Sequence, residues 1–208
     1  MSVSAPAPAP DDALPRVRPG HDATARATHD DTRARILDVA LELFAEKGFA
    51  GTSTREISER LGFTKAALYY HFRTKDDLLE ALLAPGFEGL SSLVDDSTTQ
   101  TSASARRAIL ATYIDLVAAH ESVIRVLTHD PSTANRPVLI RHKQLFERLT
   151  CLLAGDEAPG VAQQTRVRAA LGGIGAALLH ANPTDDPQVV KAATLAAACG
   201  ALGIPAPR

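Results

Sequence analysis

A chain of 208 residues has room for one large domain or two small ones, and with 45% of its residues hydrophobic it can bury a sizeable core. The formal net charge of −2 excludes polyanion binding through overall charge, so any nucleic-acid contact must come from a local basic patch. Two cysteines, Cys151 and Cys199, both in apolar helical runs, exclude a disulfide framework and fit a reducing cytosol. A cytoplasmic location is therefore expected, with both thiols packed as small hydrophobic groups.

Residues 1–28 begin with Ala-Pro repeats and continue with scattered Asp and Arg, without the apolar segment of a signal peptide. Proline blocks helix and nothing there can form a core, so a disordered tail is expected. An arm touching DNA through Arg16, Arg18 and Arg26 is the alternative, diluted by Asp11, Asp12 and Asp22. From Asp31, a candidate cap, Ile36, Val39, Ala40, Leu43 and Phe44 recur at helical spacing until Gly48. Ser53-Thr54-Arg55-Glu56 is a capping box opening a short helix that stops at Gly62. Thr64 can cap the next, from Lys65 to about Phe72. Thr74 to Asp77 caps a fourth with Leu78, Leu79 and Leu82, which Pro85-Gly86 is expected to interrupt or bend.

Further helices are expected at about 102–119, 121–128, 137–154, 160–181 and 187–202. Asp130-Pro131 and Arg136-Pro137 bracket a broken connection, and Asp186-Pro187 is a strong helix start. No strand-like alternation appears. The expected fold is all-α with about nine helices: a tail (1–28), a three-helix helix-turn-helix domain (29–76), and a helical effector-binding and dimerisation domain (77–208). The apolar run from Leu171 to Ala181 is broken by glycines and bounded by Asn182-Pro183, so no membrane span is expected.

The informative stretch runs from Thr52 to Lys75. A capped helix, a glycine turn and a second capped helix make a helix-turn-helix, with Ile57, Leu61, Phe63, Leu68 and Phe72 inward. Lys65, Ala66, Ala67, Tyr69, Tyr70 and His71 are left outward on the second helix. Small residues at its start let the helix end press into a major groove, and hydroxyls and cations around it can reach phosphates. Between Lys47 and Lys75 six cations (Lys47, Arg55, Arg60, Lys65, Arg73, Lys75) face two acids (Glu56, Glu59), so this stretch carries 6 − 2 = +4.

The segment from Thr32 to Leu79 resembles the DNA-binding domain of the tetracycline-repressor-like (TetR) family. The hallmarks are FAEKGF, T-S-T-R-E-I, and L-Y-Y-H-F followed by K-D-D-L-L. The resemblance implies a homodimeric transcription regulator bound to double-stranded operator DNA. It places Thr54 and Arg55 at phosphates or base edges and Thr64 at a phosphate. Lys65, Ala66, Ala67 and Tyr69 fall at base-facing places, Tyr70 and His71 at phosphates. Lys75 falls at a helix N-terminus, where a cation and free N–H groups suit a phosphate. Alanine offers only a methyl group, so the operator sequence is not readable beyond its two-fold symmetry.

Effector binding is likewise implied by the resemblance: helices four to eight would surround a pocket for a small apolar or amphipathic molecule. Candidate lining residues are Phe87, Leu90, Tyr113, Val117, Ile124, Leu127, Phe146 and Leu149. Of the histidines, His120, His129, His142 and His180 lie in this half without metal-ligand spacing, and no nucleophile or phosphate-loop pattern occurs, so no catalytic residue, metal or cofactor is expected. On the last two helices Ala169, Gly172, Gly173 and Ala176 share one face, as do Ala193, Ala196, Ala197 and Gly200. Such seams let backbones approach closely, and the resemblance makes them a dimer interface; packing within one subunit is the alternative. A ligand-responsive repressor is the leading function. The alternatives are an activator or ligand-independent regulator of the same fold, and a helical ligand-binding protein or enzyme with a vestigial DNA domain.

Overall fold

The computed structural model of the chain describes residues 21–97, 102–133 and 135–205. Ten α-helices and no strand are found among them: α1 (His21–Gly51), α2 (Thr54–Leu61), α3 (Lys65–His71), α4 (Lys75–Asp96), α5 (Ala103–Ala119), α6 (Glu121–His129), α7 (Pro137–Arg141), α8 (Lys143–Ala154), α9 (Val161–Leu179) and α10 (Pro187–Ala201). The all-α class is as expected. A 3-10 turn at Pro131–Thr133 joins α6 to α7.

The short helices are set by their caps. Ser53 accepts from the Glu56 N–H at 3.2 Å while the Glu56 carboxylate accepts from the Ser53 N–H at 2.8 Å, a reciprocal box. Gly62 ends α2 in the left-handed region (φ 69°), and the Phe63 N–H closes on the Ser58 carbonyl at 2.8 Å. Thr64 caps α3 through the Ala67 N–H at 3.2 Å, and Thr74 with Asp77 forms a second box at the head of α4. Each cap contributes about 1 kcal/mol, decisive for helices of seven or eight residues that are too short to persist alone.

Several boundaries differ from expectation. The tail assigned to residues 1–28 lies outside the described residues up to 20, while α1 begins at His21, ten residues before the expected cap at Asp31. The helical run breaks at Gly48 (φ 76°, ψ 162°), where the sequence placed its end. Helix α4 is not interrupted at Pro85-Gly86. The missing N–H of Pro85 leaves one carbonyl unpaid by the backbone, but buried Leu83 and Phe87 on either side hold the helix in register. The single helix expected over 137–154 is two, parted at His142, whose Nδ1 lies 2.7 Å from the Val138 carbonyl and whose ring stacks on Phe87 at 3.8 Å.

Two cores result. The first joins Ile36, Leu43, Phe44 and Phe49 of α1 to Ile57, Leu68, Phe72, Leu78 and Leu79, and continues into Phe87 of α4, Val123 and Val126 of α6, and Val138 of α7. The second binds the far half of α4 to α5, α8, α9 and α10 around Leu110, Ile114, Leu149, Leu153, Val167 and Ile174. The expected division after residue 76 thus falls in the first turn of α4, and the first core crosses it.

Candidate DNA-binding face and ligand cavity

Helix α3 turns one face, led by Leu68, into the first core and leaves Lys65, Ala66, Ala67, Tyr69 and Tyr70 exposed, Tyr70 by 77%. Thr64 and Arg55 are also exposed, and Thr54 is half-buried. The Thr54 hydroxyl lies 3.4 Å from that of Tyr69, and the Lys65 ammonium lies 5.3 Å from the centre of the Tyr69 ring. The starts of α2 and α3 are thereby brought into one cluster, with two alanines leaving the front of α3 bare. His71 is half-buried at the end of α3, 4.5 Å from the His29 ring and edge-on to Tyr70 at 5.3 Å. Burial, then the nearby His29 and Arg33, disfavours its protonation.

The +4 patch is narrower than its formal count. Lys47 pairs with Glu56 at 2.8 Å, Arg55 with Glu59 at 2.7 Å and Arg60 with Glu46 at 3.5 Å. The Lys47 hydrogen bond, then those from Ser53, holds the Glu56 carboxyl at about 2, well below its ordinary range. Such surface pairs are weak and screened, so a polyanion can compete for their cations.

Lys75 is placed differently from its expected phosphate position. Its ammonium points back into the turn between α1 and α2, donating to the carbonyls of Phe49 at 2.5 Å and Thr52 at 2.8 Å, and it lies 4.4 Å from the centre of the Phe49 ring. Burial lowers its pKa, and the neighbouring Arg136 adds to this. The same turn is fastened from two further directions. Buried Thr52 donates to the carbonyls of Leu43 and Gly48 at 3.0 and 2.9 Å. From the end of α6, Asp130 accepts from the Ala50 N–H at 2.9 Å. A side chain at Gly48 would stand 3.0 Å from that carboxylate, so glycine serves both the positive φ and the close approach. Hydrogen bonds from Ser132 and Ala50 hold Asp130 at about 2. Arg136 lies 4.7 Å from the Phe49 ring centre and 3.5 Å from Asp76. Sequence reasoning missed Asp130 and Arg136. Asp-Pro marks a helix end, but nothing local names a partner 80 residues away.

Behind this face, α4, α5, α6, α7 and α8 line a partly open cavity of about 100 Å³. Phe87, Leu90, Tyr113, Val117, Ile124, Leu127 and Phe146 line it as expected from the resemblance; Leu149 does not, being fully buried in the second core. Leu116, His120 and Leu139 also line it and were not singled out from the sequence. The helical spacing of Leu116 and His120 from Tyr113 on α5 was the available signal.

On α9 and α10, all eight small residues singled out from the sequence, Ala169, Gly172, Gly173, Ala176, Ala193, Ala196, Ala197 and Gly200, are exposed. A Cβ added at Gly172, Gly173 or Gly200 would meet no atom within 4 Å. The two helices pack on each other and on the core through other residues, among them Ile174, Leu178, Ala198 and Cys199. Packing within one subunit is therefore not what these glycines serve. None of the described helices is long and apolar enough to cross a membrane.

A capped helix-turn-helix and an apolar cavity behind it define an all-helical helix-turn-helix protein. Residues 36–82 match the family described as bacterial regulatory proteins, tetR family. The chain is 46% identical over 52 residues to the HTH-type transcriptional regulator AcrR of Shigella flexneri, covering 25% of this chain and 24% of that protein. It is 37% identical over 60 residues to the biofilm operon icaADBC HTH-type negative transcriptional regulator IcaR of Staphylococcus aureus (strain Newman), covering 29% and 32%. The matched stretches thus span a third or less of these relatives' lengths. The fold extends further: AmtR of Mycobacterium smegmatis superposes with a TM-score of 0.62 and 26% identity, over 93% of this chain and all of that one. Residues 36–82 thus match the TetR family's DNA-binding segment, and the all-helical fold around them is shared with solved proteins of that family.

Proposed function

We propose that this protein is a transcription regulator that binds a two-fold-symmetric operator as a homodimer and represses until a small apolar or amphipathic ligand releases it. The observation that carries the reading is the bare face of α3: five outward residues, Lys65, Ala66, Ala67, Tyr69 and Tyr70, on one capped helix inside the segment that matches the family. Lys65 is a long donor near its front and can address guanine O6 and N7; Thr54, Arg55, Thr64, Tyr70 and His71 surround it as phosphate partners. Repression is supported by the name of the relative IcaR, a negative regulator.

The exposed small-residue seam on α9 and α10 supports the dimer, because two copies can bury it against each other with backbones close together. Helix α6 supports the response to ligand. One of its faces lines the cavity through Val123, Ile124 and Leu127, and its end holds the α1–α2 turn through Asp130. A ligand that shifts α6 changes the angle at which α2 and α3 are presented.

Selection of binding sites from random duplexes by the full chain tests the reading. An inverted repeat with half-sites about one DNA turn, roughly 34–36 Å, or a multiple apart is expected. Recovery of unrelated sequences, or of single half-sites bound by monomers, overturns it.

A further inference from the structure

The cavity's chemistry narrows what it can hold. Fourteen residues line it, and none is Asp, Glu, Lys or Arg. A charged molecule entering it would lose its hydration without gaining a counter-charge, which strongly disfavours ions. At about 100 Å³ the space is smaller than the roughly 150 Å³ apolar cavity that accepts benzene, so a ring of six or seven non-hydrogen atoms fits only if a flexible lining side chain gives way. Two of the lining side chains carry ring hydroxyl or nitrogen atoms, Tyr113 and His120, and neither makes a side-chain hydrogen bond among the described residues. They stand seven residues apart on α5, about 10 Å along the helix, more than so small a molecule spans.

The two differ in what they offer. His120 is the junction of α5 and α6: its N–H donates to the Leu116 and Val117 carbonyls and its carbonyl accepts from Ile124. Its ring lies against α4 at Gly86, with Cδ2 and Cγ 3.6 and 3.7 Å from where a Cβ would stand, so it turns carbon toward that wall. Tyr113 keeps its hydroxyl proton throughout the physiological range, because burial pushes its pKa up to about 12. It is a half-buried neutral donor beside a wall that is almost wholly hydrocarbon, and such a group gains most from an acceptor that enters with the ligand.

We propose that the cavity takes a small uncharged molecule, mainly hydrocarbon with one accepting oxygen, of the cyclic-ketone class, whose oxygen accepts from the Tyr113 hydroxyl. The inference rests on the reading of this cavity as the effector site, and it specifies the ligand's chemistry.

Titration of the full-length protein without DNA, followed by ligand-observed NMR, uses cyclohexanone, cyclohexane and cyclohexanecarboxylate. Cyclohexanone is expected to bind best and the carboxylate not at all. Tyr113→Phe keeps the ring and removes the donor, so ketone affinity falls about five- to tenfold while that of cyclohexane is unchanged. Gly89→Ala supplies a second variant. Its new Cβ would fall 2.5 Å from Leu116 Cδ1, and the room beside that flexible side chain is the cavity, so Leu116 moves in and binding of both neutral molecules is lost with the thermal melt retained. Equal ketone affinity in Tyr113→Phe, carboxylate binding as tight as ketone, or no binding of either neutral molecule to the wild type overturns the proposal. Ketone added to the operator complex separates the two readings: binding without release removes the effector role and leaves the ligand chemistry standing.

Discussion

The turn between α1 and α2 and the outer face of α9–α10 are opposites in construction. The turn, five residues from Gly48 to Thr52, is fastened by polar groups from three directions: Thr52 from within, Lys75 from α4 and Asp130 from α6. The outer face is hydrocarbon and bare backbone, with no atom near its glycines. Directional bonds fix one geometry, which suits an element that must present α2 and α3 at a set angle. A smooth small-residue face fixes nothing by itself and is completed by whatever covers it. Charge should therefore be destructive on the outer face, and removal of charge should be destructive at the turn.

The outer face gives the largest expected effect. Gly173→Glu meets open space in a single chain and replaces a poor helix former, so the subunit should fold as well as before. In a two-fold dimer the new carboxylates face a desolvated apolar seam on both copies. Sedimentation should give a monomer, and operator affinity should fall roughly 100-fold or more, as two linked half-sites become separate ones. A dimer of unchanged affinity would move the interface elsewhere.

At the turn, Lys75→Ala leaves the carbonyls of Phe49 and Thr52 without their donor and should destabilise the protein by about 2 kcal/mol, read from urea unfolding. Because the ammonium is occupied within the protein, the salt dependence of DNA binding should change little. A slope lower by about one with stability intact would restore Lys75 to the phosphate contacts. Lys65→Ala is the counterpart on the exposed face: about 1–3 kcal/mol of discrimination lost at one base pair per half-site, with stability unchanged. A uniform loss across all sequences would make Lys65 a phosphate contact.

What could be read from the sequence follows the same division. The caps at Ser53, Thr64, Thr74 and Asp186 were legible because each side chain bonds a backbone group within three residues. So were the break at Gly48 and the inward set of Ile57, Leu68 and Phe72. The destination of Lys75 was not, since a cation at a helix start suits a phosphate and a carbonyl turn equally, and the turn is 23 to 26 residues away in sequence. The break at His142 carries no Gly or Pro; a stacked ring and one bond to Val138 make it. Proline at 85 pointed to an interruption or a bend; the helix runs on through it, with buried residues on both sides outweighing one missing hydrogen bond. Seven of the eight residues that the resemblance placed at a pocket line the cavity; a resemblance does not distinguish a residue beside an empty space from one, like Leu149, packed on all sides.

The smallest expected effect on operator binding itself comes from Asp130, and it is the most informative about how the two halves communicate. Its carboxylate bridges the end of α6 to the Ala50 N–H from a half-buried position, and Asp130→Ala should cost about 1 kcal/mol. The pKa held at about 2, below the ordinary 3.8, means that the folded state binds the proton less readily than the unfolded chain. The stabilisation is therefore complete above pH 4, declines as the pH falls from about 4 towards 2, and is absent below both values. Asp130→Asn keeps an accepting oxygen and removes the titration, so the stability difference between wild type and Asn variant should shrink over that window. At neutral pH the Ala variant should still bind ligand, because Asp130 lies outside the cavity lining, and should still bind operator. What it should lose is the link between them: with the end of α6 no longer tied to the turn, ligand releases operator only at several-fold higher concentration. That corresponds to loss of part of a coupling typically worth about 1–3 kcal/mol. Titration of ligand against operator complexes of the two proteins reads the difference directly. Identical release curves would place the coupling in α4, the other helix that reaches from the cavity to the DNA-binding end, and would leave Asp130 a local cap on the turn.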